Sequence, residues 1–380
     1  MSDPRRAAPR SVYVHVPFCR RRCGYCNFTL IAERPDLIDD YLTAIEREVD
    51  AWPQPLEIDT MHIGGGTPTQ LNAQQWRRLW NILQARFHLA RGAEFAVEAN
   101  PADVDAAMAD VLAELGVNRL SLGAQSFDDA KLERLERDHR AADVRRAVEL
   151  ARQRGVNDVS LDLMFAAPEE TLPAWRSDLN AALALAPDHV STYGLTIEKG
   201  AAFYGRLQRG RLTEAHEELQ RSMYLAAIDA LTAAGFEHYE VSNFARPGMR
   251  SRHNEAYWTM RPYLAFGPGA ARFVDGRRET NHRSVATYLR RVLAGQSPVA
   301  ESETLGPEDA ARERLVFGLR RLEGIDLSEF AAQTGTSVER LAGAAVAKCV
   351  DLGLLEFCGN RLRLTQAGLL VSDAIWPELL

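Results

Sequence analysis

With 380 residues, 46% of them hydrophobic and 26% charged, the chain is long enough for one large α/β domain and a smaller companion. Its 45 basic residues against 52 acidic leave a net charge of −7, which favours solubility and removes any global attraction for nucleic acid or an anionic membrane. No run of 18 apolar residues occurs, and the N-terminus MSDPRRAAPRSVYVHVPF carries two basic clusters with no apolar stretch behind them, so a cytoplasmic protein without a membrane span or secretion signal is expected.

The first β-rich run, Ser11 to Val16, leads directly into PFCRRRCGYCNF, which packs Cys19, Cys23 and Cys26 into eight residues of a chain with five cysteines. A thiolate trio that dense points to a metal. A 4Fe-4S cube takes one thiolate per iron, so three ligands leave one iron open to a group that is not protein. Zinc is the alternative, but a structural zinc takes four protein ligands, and the nearest extra candidate, His15, sits in the strand. A disulfide fits less well, because the count is odd and no secretion signal precedes it. Cys349 and Cys358 read as ordinary core and turn residues.

Downstream, β-rich runs at Ile58 to Ile63, Glu94 to Glu98, Arg119 to Gly123, Asp158 to Met164 and His189 to Leu195 alternate with amphipathic helical patterns. Val104, Met108, Val111, Leu112 and Leu115 share one face before Gly116, and Val144, Ala147, Val148 and Ala151 share another before Gly155, glycines where a left-handed cap is wanted. Six such units predict an α/β fold, a partial (β/α)6 barrel over about residues 11 to 235. Reactive groups in such sheets collect at the carboxyl ends of the strands. The cysteine loop follows the first strand, GGGTPT (Gly64 to Thr69) the second, Glu98 and its successors the third and Gln125-Ser-Phe the fourth, with Asp162 near the end of the fifth, so every distinctive polar motif falls on one rim.

Each motif has a plainer reading as well. GGG serves either a tight turn or close approach of backbone to a ligand, and it is not a Walker loop, since no GK[ST] follows. Glu98 could cap a helix ahead of Asn100-Pro101. Arg137 could be one more solvated charge in KLERLERDHR, and Tyr13 and Tyr25 could be tyrosines packed near the rim. After Pro298 the pattern turns to helices at Pro307 to Leu322, Leu327 to Thr334 and Val338 to Leu352, then two short runs, Leu354 to Phe357 and Arg361 to Leu364, around Gly359-Asn360, a hairpin signal. This predicts a winged-helix-like module. Its stretch from Glu339 onward holds four basic residues against five acidic ones, so DNA binding lacks its phosphate-neutralising charge, and the module is read as covering the barrel or docking a protein. The predicted division is a barrel core at 1–240, a linker region at 241–298 and the C-terminal module at 299–380.

The spacing Cys-x3-Cys-x2-Cys with Tyr25 before the last cysteine closely resembles the cluster loop of the radical S-adenosylmethionine (radical SAM) enzymes. That resemblance implies a 4Fe-4S cluster on Cys19, Cys23 and Cys26 whose open iron is chelated by the methionine moiety of SAM, and from which an electron can release a 5'-deoxyadenosyl radical. It implies further that Gly65, Gly66 and Thr67 belong to the glycine motif cradling the SAM amine and that Glu98 contacts SAM. Gln125, Arg137 and Asp162 match positions around a second SAM site in the related coproporphyrinogen III dehydrogenase, and Tyr13 and Tyr25 match aromatic positions flanking its cluster loop. One departure stands out: the family's Asp-Leu-Ile/Met-x-Gly-Leu-Pro reads Asp162-Leu-Met-Phe-Ala166-Ala167-Pro168, and losing the glycine restricts the backbone at Ala166.

His253-Asn254-Glu255-Ala256-Tyr257-Trp258, an HNxxYW motif, resembles the signature of the radical SAM haem chaperones of the HemW type, and the likeness runs from Val12 to about residue 375. It implies haem as cargo and delivery to an acceptor haem protein, such as a respiratory, membrane-associated one, with a homodimer among the partners. The cluster then has catalysis, dimer formation or redox gating open to it. His253 offers an imidazole for haem iron, Tyr257 and Trp258 offer faces for a porphyrin, and Arg246, Arg250, Arg252 and Arg261 could pair with propionates; the plainer reading of His253 is a hydrogen-bonded packing residue. The rival is the oxygen-independent coproporphyrinogen III dehydrogenase, which carries a fourth cysteine where Phe28 stands here and a long N-terminal extension, whereas Cys19 lies 18 residues from the start. A zinc-stabilised binding protein is the third reading.

Overall fold

The computed structural model describes residues 8–380; Arg5 and Arg6, part of the N-terminal basic clusters, lie outside the described residues. Six strands, β1 (Ser11–Val16), β2 (Leu56–Gly65), β3 (Phe87–Ala99), β4 (Arg119–Gln125), β5 (Asp158–Phe165) and β6 (His189–Gly194), lie side by side in chain order and all parallel. β2 and β3 run well beyond their expected ends. The period-two pattern explains the curvature of the site: Val12, Val14, Met61, Ile63, Phe95, Val97, Leu120, Leu122, Val159, Leu161, Leu163 and Val190 join the buried core beneath the helices, while the alternate residues line the interior.

The helices form where the apolar stripes predict. Helix Ala141–Gln153 buries Val144, Ala147, Val148 and Ala151, and helix Ala106–Glu114 buries Val111 and Leu112 behind an Asp105 side chain that accepts from Met108 N–H. Helix Ile38–Asp50 adds Tyr41, Leu42, Ile45 and Val49 to the same core.

The six-stranded unit is embedded in a larger sheet. On the β6 side, β7 (Glu237–Glu240) and β8 (Asn243–Ala245) add antiparallel, β8 next to β6 and β7 at the edge. On the other side, β9 (Tyr263–Phe266) runs parallel to β1, followed by β10 (Ala271–Val274), β11 (Arg277–Asn281) and β12 (Val299–Thr304), all antiparallel. Among the described residues the sheet therefore has twelve strands. Residues 241–298, read from sequence as a linker region, supply four of them. These four and the strand that follows them, Val299–Thr304, are short, and RRETN and VAESET present mostly charged or polar side chains, which suits an edge and hides the alternation that marks a half-buried strand.

Helix Arg252–Trp258 crosses the end of the barrel where the strands begin. The N–H groups of Arg252 and His253 each donate to the Glu94 carboxylate at 3.0 Å, and Arg119, first residue of β4, donates to Asp158, first residue of β5, at 2.8 Å and to Met249 O at 3.1 Å.

The C-terminal module has its own core, with Leu315, Leu319, Phe330, Leu355, Leu362 and Leu379 buried. Strands Ile325–Asp326, Arg361–Leu364 and Leu355–Cys358 form a three-stranded sheet beside helices Pro307–Leu319, Leu327–Thr334 and Val338–Asp351, and the hairpin closes at Cys358 and Arg361 around Gly359. This is the predicted winged-helix-like arrangement; the first helix stops three residues short of Leu322. Cys349 is buried and Cys358 is exposed at the turn. Among the described residues no helix is long and apolar enough to cross a membrane.

Candidate functional site

The three cysteines sit on a loop pinned at its base. Phe18–Cys19 pairs with Ile31–Ala32, Ile31 N–H donates to Pro17 O at 2.8 Å and Cys26 N–H to Cys23 O at 3.1 Å. Arg22 donates to Cys26 O and Leu30 O, Arg283 to Asn27 O, and the His15 ring meets Thr29 O at 2.7 Å. So many main-chain anchors hold the loop without help from the thiols. Cys19, Cys23 and Cys26 line one cavity of about 440 Å³ together with Tyr25, Gly65, Gly66, Thr67, Glu98, Gln125, Arg137 and Asp162. The motifs expected on one rim thus line one cavity.

Within it, the Cys19 thiol lies 3.3 Å from the Thr67 hydroxyl, and Arg137 donates to Cys23 Sγ at 3.5 Å and to Gly123 O at 3.0 Å. Burial pushes the Cys19 thiol up to about 11 and raises Cys26 as well. A half-buried thiol trio of this kind ionises when a metal supplies the compensating charge. A structural zinc takes four protein ligands on one ion, and the cysteine trio supplies three. A cubane asks for one thiolate on each of three irons, so the donor set fits a cluster better than zinc.

Of the two readings of Glu98, the structure removes the helix cap. Asn100, not Glu98, caps the short helix that follows; Glu98 turns into the barrel, where it accepts from Gly65 N–H at 3.0 Å and meets His62 Nε2 at 3.0 Å. Burial alone would raise this carboxyl, yet the His62 and Gly65 contacts hold it below its usual value. The glycines are required by these contacts: a Cβ on Gly64 would stand 2.7 Å from the Glu98 carboxylate, and Gly65, at φ +118°, would press on the His15 ring at 2.8 Å.

Gln125 and Ala166 both adopt left-handed backbone, each at φ +62°. The glycine of the family motif is absent, yet the turn survives in alanine, at a strain of roughly 1 kcal/mol. A buried ion cluster ties these two turns together. Lys131, 1% exposed, donates to Met164 O at 2.6 Å and lies against Glu170 and Asp178. Asp178 accepts from Ser126 and Phe127 N–H, and Glu170 from Ala167 N–H. Arg137 is no solvated surface charge, since it bridges the β4 turn to the cluster loop.

Asp162 accepts from Ser121 at 3.2 Å, and burial, with Glu98 nearby, pushes it up to about 6. Its unfolded value is near 3.8, so the folded state holds its proton more tightly and stability falls as pH rises from about 4 to about 6, then levels off. Asp162→Asn is expected to flatten that segment of the stability profile, measured by urea midpoints between pH 4 and 7; an unchanged slope would show the group is solvated.

Below this cavity a second chamber of about 320 Å³ shares Glu98, Ser121, Asp162 and Tyr193 with it and adds Tyr13, His62, His189 and His253. Tyr13 thus lies in the barrel interior, bonded to His15 Nδ1 at 3.0 Å, and does not line the cluster cavity. His253 is 1% exposed. Its Nδ1 meets Thr60 Oγ1 at 2.9 Å, its Nε2 meets the Tyr257 hydroxyl at 2.8 Å, and its ring stacks on His62. Burial lowers its pKa well below the usual histidine value. In this structure both His253 ring nitrogens are engaged, and the ring sits at the opposite end of the barrel from the cysteines, where its plainer reading as a hydrogen-bonded packing residue describes its contacts. Of the expected propionate partners, Arg246 donates to Ala234 O, Arg250 pairs with Glu237 and Arg252 donates to Gly92 O.

Sequence reasoning weighed His15 only as a spare zinc ligand and passed over His62, Ser121, His189, Ser191 and Tyr193. The signal was there, since each occupies the inward register of a parallel strand whose other face is aliphatic, and a polar inward row marks a site-bearing barrel.

The Radical SAM superfamily model matches residues 13–181, and the HemN C-terminal domain model matches residues 305–371. The chain is 35% identical over 376 residues to "Heme chaperone HemW" of Bacillus subtilis (strain 168), covering 98% of this chain and 99% of that protein. It is 33% identical to "Heme chaperone HemW" of Escherichia coli (strain K12), covering 97% of each. The mitochondrial "Radical S-adenosyl methionine domain-containing protein 1" of Danio rerio is 31% identical over 99% of this chain and 88% of its own. Among solved structures, coproporphyrinogen III oxidase (HemN) from Escherichia coli superposes with a TM-score of 0.87 over 99% of this chain and 90% of that one, at 23% identity, a likeness of fold.

Proposed function

Because the chain belongs to the heme chaperone HemW family within the radical SAM superfamily, we propose that it is a haem chaperone, which binds a 4Fe-4S cluster, SAM and haem and passes the haem to an acceptor haem protein. The family implies the cluster and SAM. The observation that carries their placement is the lining of one cavity by all three thiols and by the Gly65, Gly66, Thr67 and Glu98 wall. Haem as cargo rests on what the full-length relatives are called.

In this reading Cys19, Cys23 and Cys26 would each ligate one iron, and the cluster when bound supplies an electron and one open iron. The protein's own groups do the positioning. Thr67 and Arg137 donate toward two of the sulfurs, and such donors stabilise the extra charge of a reduced cluster. Glu98 presents a carboxylate to a cationic ligand, with Tyr25, Gln125 and Asp162 around the remaining wall. The acceptor is proposed to be a respiratory haem protein at the membrane, met by a cytoplasmic chaperone, with a homodimer as one assembly state. The domain plan read from the sequence, a barrel core at 1–240, a linker region at 241–298 and a C-terminal module at 299–380, is proposed with one change: the strands of 241–298 and Val299–Thr304 join the barrel sheet, so the module begins after Thr304.

The test is anaerobic reconstitution with iron and sulfide, then absorbance titration with hemin and transfer to an apo haem protein. About one haem per chain, moved on to the acceptor, is expected. His253→Gln should retain haem binding while lowering the thermal midpoint, because it disturbs a buried hydrogen-bonded pair. Turnover of coproporphyrinogen III to protoporphyrinogen, or no hemin bound, would overturn the chaperone reading.

A further inference from the structure

We infer that the haem seats on the outer lip of the cluster loop, with its face on Phe28 and its propionates among Arg21, Arg22 and Arg283; this rests on the chaperone reading above. Phe28 is 69% exposed, the most exposed large hydrophobic side chain among the described residues. It stands two residues beyond Cys26, on the wall of the cysteine cavity, with Leu30 beside it on that wall. A bare aromatic face in water is unfavourable by its apolar area unless a flat ligand covers it. A phenylalanine at the mouth of a concave cavity whose wall mixes apolar Leu30 and Met164 with polar groups suits a small planar molecule better than a protein surface, which would meet a broader, flatter apolar patch.

The charges around it are unusual in a consistent way. Arg21 donates to Glu136 O at 2.9 Å and Arg137 O at 3.2 Å, Arg22 to Cys26 O at 3.2 Å and Leu30 O at 3.1 Å, and Arg283 to Asn27 O at 2.9 Å and Thr29 Oγ1 at 3.3 Å. All three guanidinium groups hold main chain or hydroxyl of the loop and its neighbour, and none forms an ion pair with a carboxylate among the described residues. Neighbouring Arg20 differs, because Asp103 neutralises it at 2.7 Å. Main-chain carbonyls orient a guanidinium but leave its positive charge in place. Besides Asp103 on Arg20, the loop hydrogen-bonds one more carboxylate among the described residues, Glu198, held by Asn27 at 2.8 Å. Three uncompensated cations beside an exposed aromatic ring complement a flat macrocycle carrying two carboxylates. The site also lies at the cluster end of the barrel, where the redox state of the cluster can be felt by the cargo, unlike the chamber around His253.

The experiment is hemin titration of the reconstituted full-length protein, its Phe28→Ala and Phe28→Trp variants, and the parent protein with hemin dimethyl ester, whose propionates carry no charge. Phe28→Ala should weaken hemin binding about threefold to tenfold with the cluster absorbance unchanged, and Phe28→Trp, which keeps an aromatic face, should recover most of it. The ester should bind about tenfold more weakly than hemin and lose the salt dependence. Equal hemin affinity in parent and Phe28→Ala, or equal affinity for hemin and its ester, would overturn the lip as the seat while leaving the chaperone reading intact. A parent protein that binds no hemin overturns that reading, and the lip with it.

Discussion

Cys23→Ala is expected to fold normally and, after anaerobic reconstitution, to hold less than about a tenth of the parent's iron and sulfide, because two remaining thiolates do not anchor a cube. The fold should survive since the loop is held by Arg22, Arg283, the His15 ring and the Phe18–Cys19 pairing, none of which involves Cys23. Circular dichroism should match the parent while the absorbance of the cluster disappears. Cys358→Ala is the control: exposed at the hairpin turn of the C-terminal module, it should leave iron content unchanged. Parent-like iron and sulfide in Cys23→Ala, or in the matching variants at Cys19 and Cys26, would end the cluster assignment and every functional step that depends on it.

Lys131→Met should be the most destabilising single change away from the cysteines, lowering stability by about 3–5 kcal/mol. The ammonium is buried against Glu170 and Asp178 and over the Trp175 ring, and its removal leaves two carboxylates facing each other out of water. Burial already raises Glu170, and Lys131 is the strongest influence opposing that rise. A triple replacement, Lys131→Met with Glu170→Gln and Asp178→Asn, should recover part of the loss, because no uncompensated charge remains. Urea unfolding of the barrel, followed by the fluorescence of buried Trp175, reads both effects. The same variant should weaken SAM binding, since the cluster holds the turns at Gln125 and Ala166 in left-handed backbone. A loss below about 1 kcal/mol would mean that solvent reaches the trio and that the pairing contributes little.

The large features of the barrel were legible because they are local. Alternation in VYVHV and SLDLM, helical stripes such as Val144 to Ala151, and glycines at helix ends report directly on which face each residue turns to the core. The cysteine spacing is local too, and so is the Gly64-Gly65-Gly66 turn. Glu98 was ambiguous for a related reason: a carboxylate before Asn-Pro has a local use as a cap, and only the approach of Gly65 N–H and His62 from β2 removes that option. The strands at 263–304 escaped notice because they are short: Tyr263–Phe266 depends on pairing with the distant β1, and RRETN and VAESET, which pair with chain neighbours, carry no apolar row of their own.

His253 shows the limit most sharply. Its sequence neighbourhood of aromatics and arginines is the same whether the helix faces solvent or a barrel floor, and composition cannot separate a ligand-binding surface from a buried plug. What the chain determined by itself was the chemistry of the cluster loop and the order of the strands, since both are written in spacings of a few residues. The tertiary structure alone decided which side chains meet, that Phe28 stands bare at the mouth while His253 is sealed at the far end, because burial and free charge depend on neighbours more than a hundred residues away.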